Sequence, residues 1–175
     1  LNGENINSKG RKNLGYLPED RGLYQKQKLK EILSYFGMLR GLSSPEAKKR
    51  SSMWLERFDL GNQGTRKVEE VSKGNQQKIQ FIISLLHDPD LIILDEPFTG
   101  LDPLNQLLLK EIMQEKQEEG KTIIFSTHQM EQVERLCNNI CLIDKGELIV
   151  EGSLDDIRKK HLSDSVELRF RGDLD

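Results

Sequence analysis

The chain has 175 residues, with 26 Lys and Arg against 29 Asp and Glu for a formal net charge of −3, and it is 35% hydrophobic and 31% charged. That length buries a real core, no apolar run approaches the roughly 18–20 residues of a membrane span, and the polar opening Leu1–Lys12 does not read as a secretory signal. Balanced charge gives no whole-chain case for nucleic acid, and Cys137 and Cys141 make neither a disulfide framework nor a zinc set, so a soluble, intracellular protein is expected.

Leu1–Arg11 reads as a loop, and Asn13–Leu17 as a short strand running into Pro18 and a turn over Glu19–Gly22. Leu29, Ile32, Leu33, Phe36 and Leu39 then recur at helical spacing up to Gly41. Ser44-Pro45-Glu46 supplies an N-cap, a first-turn proline and an acid for a second helix carrying Ala47, Trp54, Leu55 and Phe58 to near Gly61. A third helix follows Ser72, with Ile79, Ile82, Ile83 and Leu86 on one face.

Asp88-Pro89 and Asp95-Glu96-Pro97 bracket a short buried strand, Leu91–Leu94. Asp102-Pro103 opens a helix expected to bury Leu104, Leu107, Leu108 and Ile112 and to stop at Gly120. Thr122–Thr127 is a β-branched strand, and Gln129–Cys137 a short helix with Met130, Val133 and Leu136 inward. Ile140–Ile143 and Leu148–Val150 form a hairpin about Asp144-Lys145-Gly146; Ser153 opens a last helix, and Val166, Leu168 and Phe170 alternate like a strand. Buried strands joined by a crossover helix predict a parallel α/β sheet, with the helices between Lys28 and His87 as an inserted subdomain. Cys137 and Cys141 are expected to be buried, and His87 and His161 to lie on the surface.

Chemistry concentrates at one edge of that sheet. Asp95 and Glu96 emerge at the carboxyl end of a strand, where open α/β sheets bind ligands. Read alone, they either hold Mg²⁺ and an attacking water or cap the next segment. Val71–Gln77 puts small polar residues and a glycine at a helix start, either a plain cap or an anion site. His128 follows the Thr122–Ser126 strand onto the same edge.

In order, Val71-Ser72-Lys73-Gly74-Asn75-Gln76-Gln77, Leu91–Pro97, Thr99-Gly100-Leu101-Asp102 and Ser126-Thr127-His128 resemble the signature motif, Walker B, D-loop and H-loop of an ABC transporter ATP-binding subunit. The resemblance spans about Leu14 to Gly152. Ser-Lys-Gly-Asn-Gln-Gln and the opening Gly15–Tyr24 are similar to bacterial exporters related to sodium-extrusion systems. It implies a partial P-loop NTPase (RecA-like) parallel sheet with an inserted helical subdomain. Its segments are 1–27, core with the Q-loop; 28–88, helical subdomain with the signature; 89–160, core with Walker B, D-loop and H-loop; and 161–175, the start of a C-terminal extension.

The resemblance implies ATP and Mg²⁺ as cofactors. On that resemblance Asp95 would bind the metal through water, Glu96 would be the general base, and His128 would contact the γ-phosphate. Ser72, Lys73, Gly74, Asn75 and Gln76 would form the signature reaching ATP on a second subunit, and Asp102 would be the D-loop signal residue. Two departures stand out. Val71 and Lys73 replace the family's usual Leu and Gly, and Lys73 either approaches the phosphate or faces solvent. Glu19 replaces the Q-loop glutamine, as a possible Mg²⁺ ligand or a solvated turn acid. Implied partners are a second ATP-binding subunit, head to tail, and a transmembrane permease subunit, with the chain cytoplasmic and peripheral on the inner face of the cell membrane and no nucleic acid.

No G-x-x-x-x-G-K-S/T occurs, and Gly120-Lys121-Thr122 runs from helix to strand rather than strand to helix. The expectation is a fragment without Walker A, inactive alone, from an ATP-hydrolysing export subunit. The alternatives are a soluble non-transport ABC ATPase or a degenerate interaction module. A sheet left with open edges is expected to self-associate.

Overall fold

Backbone pairing among three short strands sets the frame. A computed structural model describes residues 13–20 and 22–161, the side chain of residue 161 excepted. The chain forms two units, Leu1–His128 and Gln129–Asp175. The boundaries expected after residues 27 and 88 both fall inside the first. The expected amino-terminal loop and the strand at Val166–Phe170 lie outside the described residues.

In the first unit, β1 (Leu14–Leu17), β2 (Leu91–Asp95) and β3 (Thr122–Ser126) form a parallel sheet in the order β1-β2-β3. Between β1 and β2 run α1 (Leu29–Leu39), α2 (Ser44–Arg57) and α3 (Lys73–Leu85); α4 (Pro103–Glu118) crosses from β2 to β3. Gly15 of β1 lies so close to α3 that a Cβ there would stand 2.1 Å from the Ser84 carbonyl oxygen, so only glycine permits this strand–helix contact.

Burial of Leu17, Ile92 and Leu94 from the sheet, Ile79, Phe81, Ile82 and Leu85 from α3, and Leu29, Ile32 and Leu33 from α1 makes the core. Ala47, Trp54, Leu55 and Phe58 join it as expected. Phe58 meets Trp54 and Phe81 at ring separations of 6.2 and 6.0 Å, geometry worth about 0.5–1.5 kcal/mol per pair beyond burial. The first-turn amides of α1, which helix geometry leaves without partners, are taken by neighbouring backbone: Leu29 N–H by Arg66 O and Lys30 N–H by Gly64 O, each at 3.0 Å.

Several expectations are corrected. The N-cap of α2 is Ser43, whose hydroxyl accepts from Glu46 N–H, and Ser44 is already helical. In α4 the buried stripe is Leu109, Ile112 and Met113; Leu104 is 76% exposed and Leu107 is also exposed. Two apolar stripes overlap on that helix, and periodicity cannot choose which one the sheet covers. Leu39 is exposed at the end of α1, and Met130 is exposed. His87 is half-buried, its Nε2–H donating to Leu14 O at 3.1 Å, with Nδ1 shut from solvent and unpartnered.

The second unit holds α5 (Met130–Leu136), an antiparallel hairpin of β4 (Asn139–Asp144) and β5 (Glu147–Ser153), and α6 (Leu154–His161). Lys145 and Gly146 turn the hairpin with φ of 50° and 82°, as a two-residue reversal with right-handed strand twist requires. Ser153 caps α6 through Asp156 N–H at 3.1 Å. Cys141 is exposed on β4, contrary to expectation, because little covers that hairpin; burial pushes the half-buried Cys137 thiol above its usual value.

Parallel sheets ordinarily have helices on both faces. Here Tyr16, Ile93 and Ile124 align across β1, β2 and β3, and Tyr16 and Ile124 remain 47% and 54% exposed. The purified 175-residue chain is therefore expected to bind a hydrophobic dye and self-associate, and a Tyr16→Thr, Ile124→Thr double variant to do both less with unchanged far-ultraviolet circular dichroism. A dye-silent monomer at high concentration in sedimentation would contradict this.

Burial holds the His87 pKa down to about 4 against an ordinary 6.5, because the buried Nδ1 disfavours the charged ring. Unfolded chains take up the proton first as pH falls. The neutral ring's contribution is therefore present above pH 6.5 and lost as pH falls towards 4. Allowing for partial solvent contact, unfolding measurements should show the stability gap between wild type and His87→Gln shifting by about 1–2 kcal/mol against wild type across that window. Parallel pH curves for the two proteins would refute this.

Candidate functional site at the carboxyl edge of the sheet

The pairing register brings Leu17, Leu94 and Phe125 into one row and Asp95 opposite Ser126 in the next. Whatever follows these positions therefore shares the carboxyl edge: Glu19 after β1, Asp95 at the end of β2 with Glu96 after it, and His128 after β3. Ser126 Oγ donates to Asp95 Oδ1 and accepts from Glu96 N–H at 3.2 Å, so one hydroxyl links both acids.

Glu96 sits at φ 44°, a left-handed conformation that costs a residue with a Cβ about 1 kcal/mol or more. The bend turns its carboxylate towards His128. Oε1 accepts from the His128 backbone N–H at 3.1 Å and from its Nδ1–H at 2.8 Å. With Nδ1 committed, Nε2 is the imidazole atom left to meet a ligand, on a side chain that is largely exposed. Glu96 Oε2 is shut from solvent and has no hydrogen-bond partner. An acceptor in that state suits a base awaiting a proton donor.

The signature segment lies at the start of α3. Ser72 is its N-cap, accepting from Asn75 N–H at 3.2 Å, an arrangement worth about 1 kcal/mol. Ser72 and Lys73 are exposed, and Gly74, Asn75 and Gln76 are half-buried. The Gln76 amide is turned inward, donating to Val68 O at 3.0 Å and Val71 O at 3.3 Å, so it braces the loop from behind. A Cβ on Gly74 would stand 2.9 Å from the Gly100 carbonyl oxygen, which makes the signature and D-loop segments direct neighbours.

Asp102 caps α4, accepting from Asn105 N–H at 3.0 Å and from the Asn105 side-chain amide. Those hydrogen bonds, aided by the Lys78 charge, hold its carboxyl below the ordinary range. Lys78 is itself buried, donating to Phe58 O at 3.4 Å; burial lowers its pKa while Asp102 and Asp59 pull the other way. Glu19 is exposed in the bend beyond β1.

Four polar groups beside the site carry no signal of their own in the sequence. Ser126 and Gln77 fall inside motifs without a stated role, and the link from Ser126 to both acids follows from the β2–β3 register. Gln77, Lys78 and Gln80 are buried polar groups on α3, a state that hydrophobic periodicity does not signal.

Mg²⁺ needs oxygen ligands, and it usually binds one or two carboxylates plus phosphate and water rather than an all-protein cage. The site fits that pattern. Asp95 offers a carboxylate, and among the described residues no cluster of three or more His, Cys, Asp and Glu groups forms a self-sufficient metal site. A capped helix start with exposed Ser72 suits a phosphate.

A family model described as "AAA domain, putative AbiEii toxin, Type IV TA system" matches residues 9–134. The chain is 49% identical over 161 residues to the uncharacterized ABC transporter ATP-binding protein YhaQ of Bacillus subtilis strain 168, covering 92% of this chain and 54% of that protein. It is 36% identical over 165 residues to the Nod factor export ATP-binding protein I of Cupriavidus pinatubonensis, covering 94% of this chain and 51% of that one. A solved structure described as the ATP binding subunit of an ABC transporter matches with a TM-score of 0.82 at 35% identity, covering 91% of this chain and 68% of that one. The chain thus spans about half the length of the curated relatives it matches. On fold, motif order and these likenesses together, the chain belongs to the ABC transporter ATP-binding proteins.

Proposed function

We propose that this chain carries the hydrolytic edge and the signature segment of a Mg²⁺-dependent ATPase that drives export through a membrane partner. The carrying observation is the Glu96–His128 pair, with Glu96 Oε2 unpartnered and buried beside an Asp95 held by Ser126. The export direction is supported by a relative named for Nod factor export.

In this reading the Glu96 carboxylate takes the proton of the attacking water, and its contact with His128 orients the imidazole. His128 Nε2 faces the γ-phosphate. Asp95, its carboxylate fixed by the Ser126 hydroxyl, holds Mg²⁺ through water, and Glu19 on the neighbouring strand end is a second candidate ligand. Bound Mg²⁺ would neutralise the phosphate charge that builds up as the terminal phosphoryl group leaves. Ser72, Lys73, Gly74 and Asn75 serve the ATP of a second subunit packed head to tail, with Gln76 shaping their loop. Asp102, adjoining Gly74 through the Gly100 contact, links the two sites.

The permease docks at a cavity of about 470 Å³ lined by Tyr24, Gln27, Glu31, Ile32 and Tyr35, in the stretch of chain that follows Glu19. Its aromatic wall, with Tyr24 stacked on Phe36 at 6.3 Å, suits an apolar segment. No helix among the described residues is long and apolar enough to cross a membrane. Docking on that partner is what would hold the chain at the proposed location, the cytoplasmic surface of the membrane.

The phosphate-cradling motif does not occur in these 175 residues. The chain alone is therefore expected to show no Mg-ATPase activity, and the complete gene product to show it. Glu96→Gln in the complete product should lower kcat at least 100-fold with KM for ATP within a few-fold. Undiminished turnover in that variant would overturn the assignment.

Gly74→Ala should cost about 1–2 kcal/mol of stability, since its methyl group would press on the Gly100 backbone. It should also cut turnover more than tenfold, measured by thermal unfolding and phosphate release. A fully active, equally stable variant would show that the close approach is dispensable.

A further inference from the structure

Helix α3 carries three glutamines whose side-chain amides all donate to backbone carbonyls of loops bordering the site. Gln76 holds the signature loop itself. Gln77, 4% exposed, donates to Pro97 O at 3.3 Å and more weakly to Glu96 O at 3.5 Å. Gln80, 5% exposed and one turn further on, donates to Asp20 O at 3.1 Å, immediately after Glu19.

Stability alone does not explain Gln80. Its Oε1 is buried with no partner, a state that normally costs free energy, and a methionine would fill a similar volume without the orphaned oxygen. What Gln80 adds is a tether on the segment bearing Glu19. Gln77 does the same for the segment bearing Glu96, whose left-handed backbone needs outside restraint.

We propose that Gln77 and Gln80 are positioning residues: two amides on one face of α3 through which the helix that opens at Ser72 holds the backbone behind Glu96 and Glu19 in fixed register. The two acid-bearing loops then follow the signature helix as one body, so engagement at the Ser72 end is felt at both. Neither glutamine touches substrate in this scheme. The proposal rests on the roles assigned above to Glu96 and Glu19.

The test uses the complete gene product with Gln77→Met and Gln80→Met, read by hydrogen exchange, thermal unfolding and MgATP turnover. Gln80→Met should speed exchange about tenfold or more at the Gly22 amide, which donates to Asp20 O at 2.9 Å, and leave Glu96–Leu101 unchanged. Its unfolding midpoint should be unchanged or raised, while kcat falls about tenfold and KM stays within twofold. Gln77→Met should loosen Glu96–Leu101 alone, again with the loss in kcat. In Gln77→Glu the carboxyl donates only when protonated, so its kcat relative to wild type should recover as pH is lowered from 8 to 6.

Unchanged exchange in both segments, a uniform rise across the protein, or wild-type kcat in both methionine variants would each overturn the proposal. Absence of Mg-ATPase in the wild type would defeat the functional reading alone. Segment-specific exchange would still decide whether the two amides hold the loops.

Discussion

The pairing of β2 with β3 in a register that sets Asp95 against Ser126 is the constraint on which the site depends. It brings one hydroxyl within reach of both the Asp95 carboxylate and the Glu96 amide. The chain can then turn through an unfavourable backbone conformation at Glu96 without losing that amide's hydrogen bond. A one-residue slip would exchange the faces of β3, bury Ser126 and remove this support. The strain at Glu96 is local, and its compensation comes from three directions: Ser126 on its N–H, Thr99 N–H on its carbonyl at 3.2 Å, and His128 on its carboxylate.

Helix α3 connects that edge to the signature segment. Its first turn presents Ser72 and Gly74 and touches the D-loop backbone at Gly100. Its last turn packs on β1 so closely, through Ser84 O, that Gly15 is obligatory. Its polar residues sit where apolar ones would serve packing as well or better: Gln77, Lys78 and Gln80 are all buried. A helix that is part core and part network is costly to build, and the buried amides and ammonium make it specific about which loops it holds.

Much of this was legible in the sequence because the signals were local. The run Leu91–Leu94 between two Asp/Pro pairs, the caps at Ser72 and Asp102, and the Gly120 stop each need only neighbours within one turn to be understood. Where two readings differed by which side the rest of the molecule covers, locality failed. On α4 the expected stripe Leu104–Leu107–Leu108–Ile112 and the observed Leu109–Ile112–Met113 are equally helical and share Ile112, and only the packing selects the second. His87 and Cys141 went the same way, since a histidine beside Asp88 looks solvated and a cysteine between isoleucine and leucine looks buried. The acids and His128 are placed by the strand ends they follow, which the local pattern marks. Their supporting group, Ser126, depends on strand register, and Gln77 and Gln80 on contacts across 20 and 60 positions of chain.

In the proposed assembly the Glu96–His128 edge and the Ser72 helix start belong to two halves of a site shared between copies. The most direct measurement is a structure of the complete gene product carrying Glu96→Gln, with ATP and Mn²⁺ in place of Mg²⁺ so that the metal is located by anomalous scattering. The expected result is the metal beside Asp95, and the terminal phosphate between His128 of one copy and Ser72, Gly74 and Asn75 of another. A metal bound away from Asp95, or a phosphate contacted by neither His128 nor the Ser72 segment, would contradict it.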